Sequence, residues 1–469
     1  MLEPREERIV DEEVLRFILR ADPQRLRTPA SCIERISADS ATYSHFFSKF
    51  LVTNKYCMPD WMLDVAQCKT LSDSHWSALQ HWTVDAAPHE TQRQINFHHF
   101  KESFGNAQLN VAECGVRDFS DQRRRQMTMS EYIDYWCRHR AMRADEGKTE
   151  AGLSPAEIEE AKAILYNKDW HYVKQNPGKI AYTLPLIFSD DWMNLHWDSR
   201  TDIDDDYRFV YMGPKGSWTP LHSDVFGSYS WSANVCGRKR WVFFPPEQGP
   251  LLKDKFGNLM YDIEEDQKVS ASASAARGAR PISCVQEAGE TIFVPSGWFH
   301  QVWNEEDTIS INHNWANACN VDLLWATLAK DFHAVQKELD DCKDTEGWDE
   351  QCQLMLRTLS GWNLVDFARF VAHLARVHLA LLDGCDPAKR KGGDDDEESH
   401  SRAKSRLLLA LFSLGRLARV AEDLLRYEAV ARQVSGDDGE LRFEAATFAR
   451  LVADIPRIIT AEVAEPGRP

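Results

Sequence analysis

The sequence has no run of about 18 uninterrupted apolar residues, so no membrane-spanning helix is expected. Its opening, Met1-Leu-Glu-Pro-Arg-Glu-Glu-Arg8, is charged and lacks the apolar stretch of a secretory signal. Eleven cysteines are scattered without one Cys-X-X-Cys pair, which argues against a zinc finger. Their odd number and irregular spacing suit reduced thiols in the cytoplasm or nucleus. No concentrated basic patch is present either. With 55 basic residues against 73 acidic, the net charge is −18, a surface that repels phosphate backbones. Direct nucleic-acid binding is therefore not expected.

What remains is an ordinary globular composition. The chain is 43% apolar and 27% charged, with 16 Trp, 22 Phe and 12 Tyr to build a core. At roughly 150 residues per domain, its 469 residues have room for about two or three units.

The hydrophobic period changes twice along the chain. Val10 to Leu19 and Tyr43 to Leu51 read as helices, and Met127 to Trp136 as another. Ser154-X-X-Glu157 is a capping box with Pro155 at the first helical position, so a helix is expected to about Leu165. From Tyr207 to Trp315 the pattern turns to short β-rich runs at 207–212, 228–235, 240–244, 291–294 and 308–313. Gly and Pro punctuate them. Strands without intervening helices point to an antiparallel sandwich or jelly roll. Glu264 to Arg280, rich in Ser and Ala, reads as a flexible insert. After Asn320 the helical period returns, with Phe367, Phe370, Val371, Leu374, Val377 and Leu381 on one face up to Gly384. Residues 387–406 are charged and read as a disordered linker before a helix over Leu407 to Tyr427. The expected class is α+β. An N-terminal helical region with the start of the catalytic fold spans 1–94, a β core spans 95–320, and a helical C-terminal domain spans 321–469.

Chemistry concentrates in Gly213-Pro-Lys-Gly-Ser-Trp-Thr-Pro-Leu-His-Ser-Asp224. On a strand, residues two apart share a face, so His222 and Asp224 would point into one space. Non-haem Fe(II) favours two His and one carboxylate on one face of its coordination sphere. His300, ending Val294-Pro-Ser-Gly-Trp-Phe-His300, is the candidate third ligand.

Three tracts carry a family resemblance: Met212 to Asp224, Asn234-Val-Cys-Gly-Arg-Lys-Arg-Trp-Val-Phe-Phe-Pro-Pro246 and Glu290-Thr-Ile-Phe-Val-Pro-Ser-Gly-Trp-Phe-His-Gln-Val302. Over about residues 95–320 the chain resembles the JmjC-domain 2-oxoglutarate oxygenases, whose core is a cupin-type double-stranded β-helix. Within that family, Lys168-Asp-Trp-His171 and the Gly-Pro-Lys-Gly-Ser-Trp-Thr-Pro segment fit a branch that hydroxylates a lysine of the translation termination release factor. The resemblance implies a catalytic metal triad of His222, Asp224 and His300. It implies that Lys239, on the strand after the His-X-Asp strand, pairs with the distal carboxylate of 2-oxoglutarate. It also implies that Thr219 and Tyr166 donate to the cofactor and that Asn314 lies near its C1 carboxylate and the metal. Ser232 stands where some relatives carry a cofactor-facing Asn, so that contact stays open between Ser232 and Asn234, which lies on the same strand face. His171, His196 and His313 are read as structural, and Trp298 as packing at the entry to His300.

The expected function is thus an Fe(II)-, O₂- and 2-oxoglutarate-dependent protein lysyl hydroxylase acting on a protein that carries a target lysine. A JmjC histone lysine demethylase would use the same site, although the chain shows no chromatin-reader domain or zinc cluster. A non-catalytic cupin-like scaffold would be favoured by a degenerate triad, and none is seen. A homodimer through the C-terminal helices stays open. So does a nuclear location, since Lys389-Arg-Lys391 precedes an acidic run.

Overall fold

The computed structural model describes residues 10–21, 27, 33–36, 42–55, 57–59, 76–85, 93–144, 154–201, 205–265, 278–384, 397–435 and 442–463. The strands are β1 Glu34–Ile36, β2 Cys57–Pro59, β3 Thr83–Val84, β4 Gln94–Ile95, β5 Gln108–Asp118, β6 Asp121–Thr128, β7 Leu165–Trp170 and β8 Arg208–Gly213. They continue with β9 Trp218–Ser223, β10 Tyr229–Cys236, β11 Lys239–Phe244, β12 Ile282–Gln286, β13 Thr291–Val294, β14 Phe299–Asn304 and β15 Thr308–Trp315. Among the described residues, nine form one sheet in the order β1-β2-β13-β10-β15-β8-β7-β5-β6, and four form a second in the order β12-β11-β14-β9. Neighbours are antiparallel except β1 and β2. The α+β expectation with a jelly-roll core stands.

Strict alternation builds the space between the sheets. On β10, Trp231, Ala233 and Val235 face the main hydrophobic core with the helices, leaving Ser230, Ser232 and Asn234 for the opposite face. Register places these three opposite Asn314, Asn312 and Ser310 of β15. The result is a double row of polar side chains on the large sheet. On the small sheet, Lys239, Trp241 and Phe243 of β11 lie beside Asn304, Val302 and His300 of β14. The opposite faces of these strands give Val242 and Phe244 to a separate cluster with Leu221, Leu252 and Ile263. A hydrogen bond from Lys239 Nζ to Ser310 Oγ crosses from one sheet to the other.

Labelled helices flank the core: α1 Glu12–Arg20, α2 Phe97–Phe104, α3 Met129–Ala144, α4 Pro155–Lys162 and α5 Trp192–Asp198. The Ser154 capping box and Pro155 start α4 as the sequence indicates. The C-terminal part holds α6 Val321–Glu338, α7 Trp348–Ser360, α8 Leu364–Gly384, α9 Glu397–Leu424, α10 Glu428–Ser435, α11 Arg442–Ala453 and α12 Ile455–Val463. Phe367, Phe370, Val371 and Leu374 of α8 are fully buried in the same core as Leu408, Leu414 and Leu417 of α9. No helix among the described residues is long and apolar enough to cross a membrane.

Two expectations change. The N-terminal region is not only helical, since β1 and β2 extend the large sheet through β13. The charged stretch read as linker to 406 is already helix from Glu397, because α9 begins ahead of its apolar face. The 108–128 region forms the long β5–β6 hairpin. Most of the Ser/Ala-rich insert and the first part of the linker lie outside the described residues.

Candidate metal centre and cofactor pocket

β9 delivers His222, and β14 delivers His300 directly opposite it, with ring centroids 4.3 Å apart. Asp224 is not on the strand. β9 ends at Ser223, and Asp224 caps the short turn Val225–Gly227. Strand alternation therefore does not aim Asp224, although the outcome is the same. One ligand atom from each of His222, Asp224 and His300 lies within 4.8 Å of the others. A bulge in the β9–β14 register explains a further point. Thr219 and His222, three apart, should face opposite ways, but the shift between His300 and Val302 pairs Thr219 with Val302. Pro220, tolerated at bulges, lies between them.

The ligands are held by neighbours. His222 Nδ1 sits 2.8 Å from the Pro220 carbonyl, an arrangement that leaves Nε2 for a metal. Asp224 accepts from the Ser230 hydroxyl at 2.7 Å and from the Asn314 amide at 3.0 Å. That amide also lies 3.1 Å from Ser228 Oγ. Burial, reinforced by the adjacent His222, pushes His300 down to about 4 against the opposing pull of Asp224. A neutral imidazole is the form that binds metal.

The other end of the cavity is built around a cation. Lys239 is 2% exposed, and burial lowers its ammonium to about 7. Its contact is Ser310 Oγ at 2.7 Å, and among the described residues it makes no ion pair. Around it, the Thr219 and Ser232 hydroxyls, which can donate to an anion, are buried without a hydrogen-bond partner among the described residues. Buried polar atoms are rarely left unsatisfied. A dicarboxylate entering here would meet both the cation and the hydroxyls. Tyr166, on β7, is buried, and burial raises its pKa. The donor set fits iron, and the cation with its orphaned neighbours fits 2-oxoglutarate. His222, Asp224 and His300 would hold the metal, and Lys239, Thr219 and Tyr166 the distal carboxylate.

Some expected details shift. Lys239 is on the second strand after β9 in sequence, because β10 intervenes and belongs to the other sheet. Asn314 grips Asp224, the candidate metal ligand, through its amide. Asn234 is less free than Ser232, since its amide donates to the Gly237 carbonyl and ties the β10–β11 turn. His313 is structural, stacked on Trp231 at 4.2 Å and hydrogen-bonded to Tyr182. His196 packs against Trp197 and Phe370. His171 is different. It contacts Asp205 and Asp206 at 3.1 and 3.0 Å and meets the Phe209 ring at 5.0 Å. Arg208 Nε already lies 2.8 Å from Asp206, so this cluster is a charge network with its own resident cation.

Sequence reasoning missed Ser230, Ser310, Asn304 and the aromatic row of β8. Tyr207 precedes that strand, and Phe209 and Tyr211 lie on it, all half-buried. Their rings follow one another at 6.4 and 6.3 Å, and Tyr211 continues to Tyr166 at 6.0 Å. Phe209 and Tyr211 pair with Asn312 and Ser310, so this row runs alongside the polar row. Asp169 accepts from the Tyr211 hydroxyl at 2.7 Å and from Arg124 at 2.8 Å. Arg124 and Lys168 hold the Asp169 carboxyl below its usual range despite opposing burial. The signal was present as polar residues at every second position in Ser230-Trp-Ser-Ala-Asn234 and Ser310-Ile-Asn-His-Asn314.

Residues 209–315 match the family described as "JmjC domain, hydroxylase". The chain is 38% identical over 405 residues to "2-oxoglutarate and iron-dependent oxygenase JMJD4" of Gallus gallus, covering 85% of each. It is 37% identical over 344 residues to the Homo sapiens protein of that name, covering 73% of this chain and 75% of that one. Against "Arginine-specific demethylase JMJ20" of Arabidopsis thaliana it is 35% identical over 440 residues, covering 91% of this chain and 86% of that one.

Proposed function

This chain belongs to the JmjC family of 2-oxoglutarate- and iron-dependent oxygenases, and from that membership we propose that it hydroxylates a lysine side chain of a protein substrate. The observation that carries the choice of substrate is the aromatic row Tyr207, Phe209 and Tyr211 beside the polar row ending at Asn314. Aromatic faces suit both the aliphatic stem of a long side chain and the cation at its end. The net charge of −18 adds a general attraction for basic surfaces. The likeness to the JMJD4 oxygenases makes the cytoplasmic translation termination release factor the first substrate to test.

The chemistry supplied when iron and 2-oxoglutarate are bound is activation of O₂ and insertion of oxygen into a C–H bond as the co-substrate is decarboxylated to succinate. The protein's own part is orientation. Ser230 and Asn314 fix the Asp224 carboxylate, and the Pro220 carbonyl fixes the His222 ring. Lys239 neutralises the far end of the co-substrate in a pocket walled by Trp241, Phe243 and Val302, which keeps water out.

The likeness to an Arabidopsis arginine-specific demethylase favours a second reading, demethylation of a methylated basic residue, since the same row would accept a guanidinium or a methylated ammonium. Peptide mapping by mass spectrometry separates them after incubation with enzyme, Fe(II) and 2-oxoglutarate. Gain of one oxygen on a release-factor lysine supports hydroxylation. Loss of methyl groups from a methylated histone peptide, with the release factor unmodified, overturns it.

A further inference from the structure

Two residues beyond the metal ligand Asp224, Phe226 has φ 58° and ψ 8°, in the left-handed region. Side chains with a β-carbon seldom occupy it, and they stay there only where the surroundings hold them. What holds Phe226 comes from the C-terminal helices. Its ring stacks on Trp362, between α7 and α8, with centroids 4.3 Å apart and planes 22° apart. Tyr207 meets it edge-on at 5.7 Å. Trp362 is itself buried, stacked on Trp197 at 5.2 Å and packed against Phe367 and Phe370.

Backbone contacts close the arrangement. A β-carbon on Gly361 would lie 3.3 Å from the Phe226 ring, and one on Gly227 would lie 2.8 Å from Thr327 Oγ1 of α6. The turn that carries Asp224 therefore sits against α6 and the α7–α8 junction, with glycine at both points of closest approach. From the barrel side, Ser230 and Asn314 aim the carboxylate oxygens. They do nothing to keep the backbone after Asp224 in a left-handed turn. If Phe226 relaxed to an ordinary conformation, the turn would rotate and take the carboxylate with it.

We infer that the Phe226–Trp362 stack is a positioning device for the metal centre, holding Asp224 in its ligating conformation, so that the C-terminal helices are a working part of the iron site. The inference rests on the metal-site reading above. Neither residue touches the metal or the reacting atoms, so both are positioning residues.

The test is Fe(II) binding to the full-length protein under anaerobic calorimetry, with thermal unfolding followed with and without metal. Trp362→Ala is expected to weaken Fe(II) binding by about 10- to 100-fold, the range for residues that orient ligands. Trp362→Phe, which keeps a ring to stack on, is expected to recover most of the loss. Phe226→Gly tolerates the left-handed backbone but loses the ring. It should unfold cooperatively while binding Fe(II) as weakly as Trp362→Ala, and it decides the matter if Trp362→Ala does not fold. Wild-type Fe(II) affinity in a folded Phe226→Gly or Trp362→Ala protein overturns the inference. Absence of Fe(II) binding in the wild type would instead overturn the metal site.

Discussion

The Lys239 ammonium reaches across the barrel to the Ser310 hydroxyl at 2.7 Å, although it is buried and no carboxylate pairs with it among the described residues. A lone buried cation is costly, and the structure tolerates it in a cavity where the Thr219 and Ser232 hydroxyls are also buried without a partner among the described residues. The arrangement is that of a site completed by an anionic ligand.

Lys239→Ala should therefore raise the dissociation constant for 2-oxoglutarate sharply. Removing one partner of a buried ion pair costs about 3–5 kcal/mol, a loss of hundreds-fold or more. Arg240→Ala should have little effect, because that side chain lies over Trp303 and pairs with Glu264 on the other face of β11. Titration of each variant with the co-substrate checks this. Equal damage from the two substitutions would place the cofactor on the wrong face of the strand.

The same lysine sets a pH dependence. Burial lowers it to about 7 in the cofactor-free protein, and a bound carboxylate would raise it again. Below pH about 7 the ammonium is already charged and affinity should be flat. Above it, binding must take up a proton, so affinity should fall by up to about tenfold per pH unit. Calorimetry in buffers of different ionisation enthalpy measures the uptake. Lys239→Arg, charged throughout, should remove the slope.

Much of this site was legible in the sequence, and the reasons are local. His222, Asp224 and His300 stand out because their types and spacing suit one metal, whereas Lys239 is singled out only by the family resemblance, since Arg238-Lys-Arg240 by itself reads as a solvated basic run. Other features depend on pairing that no local pattern encodes. Thr219 reaches the cavity through a bulge, Asp224 through a turn after the strand, and Ser310 through its register with β10. The contact of Phe226 with Trp362 joins residues far apart in sequence, and only the packed helices create it. Charge misled at residues 397–406, where composition suggested a linker and the continuous helix α9 prevails.

Ser230→Ala and Asn314→Ala each remove one hydrogen bond to Asp224. Each should weaken Fe(II) binding by about tenfold or more while leaving the fold intact. The Asn314 variant should be the more damaging, because it also loses the contact with Ser228. Metal titration with circular dichroism as a control for folding tests this. Unchanged Fe(II) affinity in both would mean that these side chains do not orient the carboxylate.

Asp224→Ala offers a clean loss of function, since it removes the anionic ligand at a position where the backbone is already a turn. The variant should fold, bind Fe(II) poorly and release no succinate. Succinate formation near the wild-type rate would sink the triad.

Oxygen tracing reaches the central claim most directly. Wild-type protein, Fe(II) and 2-oxoglutarate are incubated with the release factor under isotopically labelled O₂, and succinate and product mass are read together. The account predicts one labelled oxygen on a lysine for each substrate-dependent succinate, with neither formed by Asp224→Ala. Oxygen drawn from water, or a lysine left unmodified while succinate accumulates only with some other protein, would contradict it.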